Sequence, residues 1–260
     1  MSSKSYNFLI IGGGIVGLTI ARELNIQHPK SSIAIIEKEA DISMHSSGRN
    51  SGVLHAGFYY TADSLKAKFT VAGNAAMKNY CKENGLKLNE CGKVVVAKNK
   101  AEVGGIDTLY KRGIKNGVDL SVIDKLALRD IEPNAKTFEK ALYSPTTATV
   151  DPVEISQCLK RELFEKGITF RLSEGYLKRQ KGNIVVTTKG NTVTADVIVN
   201  CAGLYADKVA QDYGFSNAYT ILPFKGIYLK YSDIDLPIKT NIYPVPNIQN
   251  PFLGVHYTVT

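Results

Sequence analysis

Phe8-Leu9-Ile10-Ile11-Gly12-Gly13-Gly14-Ile15-Val16-Gly17 is the stretch that decides the fold. Apolar residues run into Gly-x-Gly-x-x-Gly, and the apolar spacing then turns helical through Leu18, Ala21 and Leu24. Ser32-Ile33-Ala34-Ile35-Ile36-Glu37 follows, a second apolar run closed by an acid. Strand, helix and strand in that order predict a βαβ unit in which each glycine has a task. Gly12 permits the tight turn, Gly14 lets the backbone approach a diphosphate, and Gly17 lets the helix lie close on the strand. The helix opening at Ile15 offers amide N–H groups to phosphate oxygens. Glu37, 20 residues past Gly17, is placed to accept hydrogen bonds from ribose hydroxyls. A carboxylate there repels a 2′-phosphate, which argues against NADP. The fingerprint alone does not separate NAD from FAD.

Bulk properties narrow the class. The 260 residues are enough for a sizeable core and one or two domains. The net charge of +8 comes from lysines scattered along the chain, with no dense basic block, so no nucleic-acid partner is expected. A basic surface does attract an anionic substrate or an anionic membrane face. Cys81, Cys91, Cys158 and Cys201 lack CxxC spacing and read as reduced, mostly buried thiols. His28, His45, His55 and His256 show no metal-binding spacing, and no metal is expected. No stretch is long enough to span a bilayer and no targeting segment is evident. The expected location is cytoplasmic, with peripheral contact at the inner face of the membrane left open.

Beyond Glu37 the polar stretch Asp41 to Gly52 reads as a loop. Ser64 caps a predicted helix to about Asn84, with Leu65, Phe69, Ala72, Ala76 and Tyr80 on its apolar stripe. Residues 92–97 read as a strand, 101–116 as a helix and 126–133 as a helical turn closed by Pro133. Asp151-Pro152 opens another helix, with Ile155, Leu159 and Leu163 on one face. A strand at 169–172, a meander at 175–181, 184–188 and 192–195, and a buried strand at 196–201 opening on Gly203 follow. The predicted helix 206–213 precedes a β-rich tail at 224–231, 242–243 and 252–259. The order predicts an α/β fold: a Rossmann-like nucleotide-binding domain, 1–86 and 144–218, with an inserted α+β domain of mixed or antiparallel sheet, 87–143 and 219–260.

Four segments carry a family resemblance. They are Ser46-Ser47-Gly48-Arg49-Asn50-Ser51-Gly52-Val53-Leu54-His55-Ala56-Gly57-Phe58-Tyr59-Tyr60, Val199-Asn200-Cys201-Ala202-Gly203-Leu204-Tyr205-Ala206-Asp207, Leu222-Pro223-Phe224-Lys225-Gly226, and Pro251-Phe252-Leu253-Gly254-Val255-His256-Tyr257-Thr258. The chain resembles the FAD-dependent oxidoreductases of the D-amino-acid oxidase superfamily over essentially its whole length. The HAGFYY and FLGVHYT segments point within it to the 2-hydroxyglutarate-oxidising branch.

The resemblance implies FAD as cofactor and oxidation of a 2-hydroxy acid to the 2-oxo acid, with a quinone or oxygen taking the electrons. Cofactor contacts are expected from Gly12, Gly14, Ile15, Gly17, Glu37, Lys38, Ser47, Asn50, Ser51, Gly52, Ala202 and Gly203. Hydride leaves the substrate Cα while its hydroxyl loses a proton, and a neutral imidazole accepts such a proton. His55 and His256 are the two candidates. Tyr59, Lys225 and Tyr243 are candidate substrate contacts, with Arg49 a further cation. The family's pattern often has Arg where Lys225 stands and an acid where Ile227 stands, and lysine lacks arginine's bidentate fork. The same fold also serves amine and amino-acid oxidases, and a non-catalytic nucleotide-binding module is the reading from another class. The chain ends at Thr258-Val259-Thr260 in what reads as mid-strand, so a partial, weakly active or inactive sequence is expected.

Overall fold

The computed structural model describes residues 3–231, 237–246 and 254–259. The chain forms two compact units: residues 1–50 with 152–228, and residues 51–151 with 229–260.

The first unit is built on a six-stranded sheet. Its order is Tyr176–Arg179, Ile184–Thr187, Thr192–Asn200, Ser3–Ile11, Ile33–Ile36, Thr169–Arg171. Ser3–Ile11 runs parallel to both neighbours, and Ile33–Ile36 is parallel to Thr169–Arg171. The two outer meander strands are antiparallel. Strands buried on both faces are apolar without a break, which is why Ile33–Ile36 shows no alternation. One face of the sheet forms a core of Leu9, Ile11, Ala34, Ile36, Val185, Val193 and Val209. Helices Ile15–Gln27 and Pro152–Glu165 pack on each other. Leu18, Ala21, Ile155, Leu159 and Leu163 are their buried residues, and an Arg22–Glu162 ion pair at 2.9 Å ties them together.

The meander and the strand after it form differently from the reading. Residues 192–195 and 196–201 are one nine-residue strand, Thr192–Asn200. Its first half pairs antiparallel with Ile184–Thr187, and its whole length runs parallel to Ser3–Ile11. No turn residue separates Ala195 from Asp196, so nothing breaks it. Its second half is only partly covered, with Val197 exposed.

The second unit has a four-stranded sheet, ordered Asn241–Pro244, Lys93–Val96, Ala141–Ser144, Ser121–Ile123. Asn241–Pro244 is parallel to Lys93–Val96 and the other pairs are antiparallel. A small antiparallel sheet joins Val53–Leu54, Ala148–Val150 and Leu88–Asn89. Phe58, Val95, Ile106, Leu109, Leu142 and Tyr243 form the core. Helix Lys100–Lys115 covers it, capped by Asn99, whose side chain accepts from the Glu102 amide.

Two expectations fail here. Helix Leu65–Glu83 forms with its Ser64 cap, but its buried residues are Ala67, Tyr80 and Cys81. Leu65 and Phe69 of the anticipated stripe are 69% and 65% exposed. The helix turns its small face inward because Gly57 lies under Val71 and the Ala67 carbonyl, too close for a larger layer. The segment 222–231 carries no regular structure and no strand. Residues 252 and 253 of the last expected strand lie outside the described residues; within 254–259 a single bridge pairs Tyr257 with Ile242.

Candidate functional site

The glycine turn of the first unit is closed by backbone. Gly12 has φ +110°, and a Cβ there would stand 2.3 Å from the Cys201 carbonyl oxygen. A Cβ on Gly17 would stand 2.1 Å from the Gly12 carbonyl oxygen. Neither site tolerates a side chain, because the opposing atoms are main chain. The Gly12 amide donates to the Ile36 carbonyl and the Cys201 amide to the Ile11 carbonyl, both at 2.9 Å. Three strand ends are thereby pinned around one turn.

Side chains dress that turn. Glu37 accepts from the Gly13 amide at 2.7 Å and from the Glu39 amide at 2.9 Å. Both carboxylate oxygens are thus fixed by backbone, and each retains a further lone pair. The Ser47 hydroxyl accepts from the Ile15 amide at 2.9 Å. One helix-opening amide is therefore engaged rather than free, and the hydroxyl hydrogen stays available to an anion. Asn50 donates to the Ser46 and Ser47 carbonyls at 3.0 and 2.9 Å, shaping the loop that carries Ser47.

These groups line a cavity of about 680 Å³, within the ~300–1,000 Å³ of small-molecule sites. Gly12, Gly14, Glu37, Lys38, Ser47, Ala202 and Gly203, all proposed as cofactor contacts from the sequence, are on its wall. Tyr176, Leu177 and Thr188 from the meander are there too, and had no local signal. Gly17 is beneath the turn, and Ser51 and Gly52 belong to the second unit. Lys225 is exposed in the irregular segment. Arg49 is exposed and borders a smaller recess with Asp41 and Gln157.

The second unit gathers a different set. His55, Tyr59, Tyr243 and His256 come together around Lys93. Lys93 opens the all-buried strand Lys93–Val96 and is itself fully buried. Its Nζ lies 3.1 Å from His55 Nδ1, 3.9 Å from the Tyr243 ring centre and 5.3 Å from that of Tyr59. No carboxylate pairs with it among the described residues. Burial lowers its pKa to about 7 despite the opposing pull of Cys91. Burial, then the positive Lys93, His256 and Lys66, lower His55 to about 3. Burial, then neighbouring Tyr243 and Tyr60, raise the Tyr59 phenol well above its ordinary value. The Tyr59 hydroxyl is buried and has no hydrogen-bond partner among the described residues. His256 lies against Tyr243 at 4.3 Å between ring centres, and its Nδ1 faces the Gly254 carbonyl at 3.0 Å.

Two asparagines hold this cluster's loop. Asn74 donates to the Leu54, His55 and Thr146 carbonyls at 3.0–3.4 Å. Asn116 donates to the Gly57 and Tyr60 carbonyls, both at 3.0 Å. Sequence reasoning missed Lys93, Asn74 and Asn116. Lys93 had a signal: a lone lysine at the head of Val94-Val95-Val96-Ala97, an otherwise unbroken buried run.

A profile of the family described as DAO, FAD dependent oxidoreductase, matches residues 7–260. The chain belongs to this family. FAD is the cofactor that membership assigns. The chain is similar to mitochondrial L-2-hydroxyglutarate dehydrogenase of Nematostella vectensis, 39% identical over 98% of this chain and 60% of that protein. The human protein of the same name is 36% identical over 99% and 59%. L-2-hydroxyglutarate dehydrogenase of Escherichia coli K12 is 35% identical over 97% and 61%. The chain thus spans about 60% of the length of these relatives. Among solved structures, dithionite-reduced L-alpha-glycerophosphate oxidase of Mycoplasma pneumoniae with FAD bound shares the fold. Its TM-score is 0.80 at 23% identity, over 94% of this chain and 66% of that one. Glycine oxidase of Bacillus cereus shares it at TM-score 0.76 and 22% identity, over 92% and 66%.

The first-unit turn fits FAD. A Cβ on Gly14 would come within 3.0 Å of the Ser47 hydroxyl and would crowd the approach to the helix opening. The donor set suits a diphosphate: helix-opening amides, a hydroxyl and Lys38, with Glu37 fixed for a diol. No helix among the described residues is long and apolar enough to cross a membrane. No cluster of three His, Cys, Asp or Glu side chains able to hold a metal occurs among the described residues.

Proposed function

We propose that the protein carrying this chain oxidises L-2-hydroxyglutarate, or a close 2-hydroxy acid, to the 2-oxo acid. Electrons pass on to a quinone or to oxygen. Similarity to the three dehydrogenases supports the substrate, and the buried His55–Lys93 pair supports the chemistry. FAD, when bound, supplies the acceptor for hydride from the substrate Cα. The first unit holds its nucleotide part: Gly12 and Gly14 at the diphosphate, the Ile15 amide acting through the Ser47 hydroxyl it holds, Glu37 at the ribose and Lys38 alongside.

The observation that carries the reading is His55, whose imidazole is kept neutral by burial and meets Lys93 Nζ at 3.1 Å through Nδ1. An imidazole in that state accepts the hydroxyl proton as hydride leaves. Tyr59 brings an unpaired buried hydroxyl for a carboxylate or keto oxygen. Tyr243 and His256 wall the same cluster. Cytoplasmic location with peripheral membrane contact belongs to the same proposal. The exposed Leu222, Ile227 and Tyr228 beside Lys225 are the groups suited to that contact.

Anaerobic mixing of the FAD-loaded protein with L-2-hydroxyglutarate tests this. Loss of the oxidised-flavin absorbance with one equivalent of 2-oxo acid is expected. Bleaching by amino acids and not by the hydroxy acid would replace this reading with an amine oxidase.

A further inference from the structure

His55 and Lys93 pose a problem that the proposed function leaves open. If Lys93 is an ammonium, it only donates, so His55 Nδ1 must be the acceptor at 3.1 Å. A neutral imidazole accepting at Nδ1 carries its hydrogen on Nε2. That nitrogen then donates and cannot take the substrate proton. If Lys93 is a neutral amine, the bond reverses: Nδ1–H donates to Nζ and the Nε2 lone pair is free. Among the described residues, Nε2 has no hydrogen-bond partner.

We propose that Lys93 is the proton store of this site and His55 the conduit to it. The substrate hydroxyl proton binds His55 Nε2, and the Nδ1 proton moves to Lys93 Nζ. One N–H bond forms on each base and one breaks at Nδ1. The imidazole ends neutral with its tautomer exchanged, the amine ends as ammonium, and the electron pair leaves with the hydride. This inference rests on the 2-hydroxy-acid reading above.

The surroundings favour the role. Lys93 is fully buried and has no carboxylate partner among the described residues. Its neighbours are aromatic faces, His55 and Cys91. His55 faces Lys93, His256 and Lys66, all basic. Two bases this close do not both hold a proton in a dry site, so the pair is empty or singly protonated. The first proton resides on Lys93, which releases it near pH 7, while burial and the neighbouring Lys93, His256 and Lys66 charges hold His55 at about 3. A base of the second kind would leave the rate flat across neutral pH. The dyad instead becomes competent as pH rises through about 7.

Two measurements test this on the FAD-loaded protein. NMR of protein labelled with ¹³C at the lysine ε-carbons, with Lys93→Arg assigning the signal, should show Lys93 losing its proton near neutrality. A Lys93 signal that stays ammonium to pH 9 overturns the proposal, and should Lys93→Arg fail to fold, a spectrum of the natural protein in which no lysine signal shifts between pH 5 and 9 overturns it equally. In the second, kcat/KM of the natural protein should rise about tenfold per pH unit below its inflection. Lys93→Met should abolish the inflection, and Lys93→Arg, a permanent donor, should hold the rate low at every pH. Retained inflection in Lys93→Met overturns the relay while leaving the substrate reading intact. Absent turnover with a normal Lys93 titration overturns the substrate reading alone.

Discussion

The glycine turn of the first unit and the basic–aromatic cluster of the second are made from opposite parts of the residue. At the turn, the working groups are main-chain amides, and side chains matter mostly by their absence. Gly12 and Gly17 are required because carbonyl oxygens of Cys201 and Gly12 occupy the Cβ positions. In the cluster, the working groups are side-chain tips brought from a loop, two paired strands and the bridge at Tyr257: His55, Lys93, Tyr243 and His256. A backbone site depends on local sequence, and a side-chain site depends on strand register. The two should therefore fail differently.

The largest effect is expected from breaking the first. Gly17→Val drives a side chain into the turn's own main chain, a lesion of the class that costs roughly 4 kcal/mol or more. Thermal unfolding and flavin content should both collapse, and a folded, flavin-retaining variant would remove the cradle from the account. Breaking the second should spare binding. His55→Asn should keep stoichiometric flavin by absorbance while kcat falls about 10²–10⁴-fold. Flavin loss there would merge the two regions into one structural unit.

Legibility in the sequence follows the same division. Gly12, Gly14, Gly17 and Glu37 were readable because their spacing is set within one βαβ unit. Of the cluster, His55, Tyr59, Tyr243 and His256 entered through the family resemblance, and Lys93 did not enter at all. Its role depends on strand Lys93–Val96 lying beside Asn241–Pro244, a pairing across some 150 residues. The helix Leu65–Glu83 failed for a related reason. Its apolar stripe predicts a buried face only if size decides, and here the close approach of Gly57 selected Ala67 over Phe69. The strand expected at 224–231 rested on β-propensity, which without a partner strand does not make one. The single strand Thr192–Asn200 needed both neighbours to be seen as continuous.

Smaller changes sharpen the comparison. Glu37→Gln keeps one acceptor oxygen but loses the charge that suits backbone amides and a diol. FAD affinity should fall roughly tenfold, about 1.4 kcal/mol, in a fluorescence titration. An unchanged affinity would leave Glu37 as a prop for the Gly13 and Glu39 amides alone. Glu174 supports the cavity wall from below, its amide donating to the Glu37 carbonyl at 2.8 Å. Burial disfavours its charge, but hydrogen bonds from Arg171, Asn191 and Thr187 outweigh it and hold the carboxyl at about 2. A depressed pKa stabilises the fold above the unfolded carboxyl's value near ~4.3, and that contribution disappears as pH falls toward the folded one. Glu174→Gln should lower Tm by about 2–4 °C at neutral pH. The difference from the natural protein should shrink between about pH 4 and 2. A pH-independent difference would assign the loss to packing.

A crystal structure with FAD bound tests the central claim most directly. The account predicts a diphosphate oxygen within about 3.2 Å of the Gly14 amide nitrogen at the helix opening. It also predicts the ribose hydroxyls on Glu37 and the Ser47 hydroxyl turned toward a phosphate. A diphosphate bound elsewhere, with the space over Gly12 and Gly14 filled by packed side chains, would contradict it.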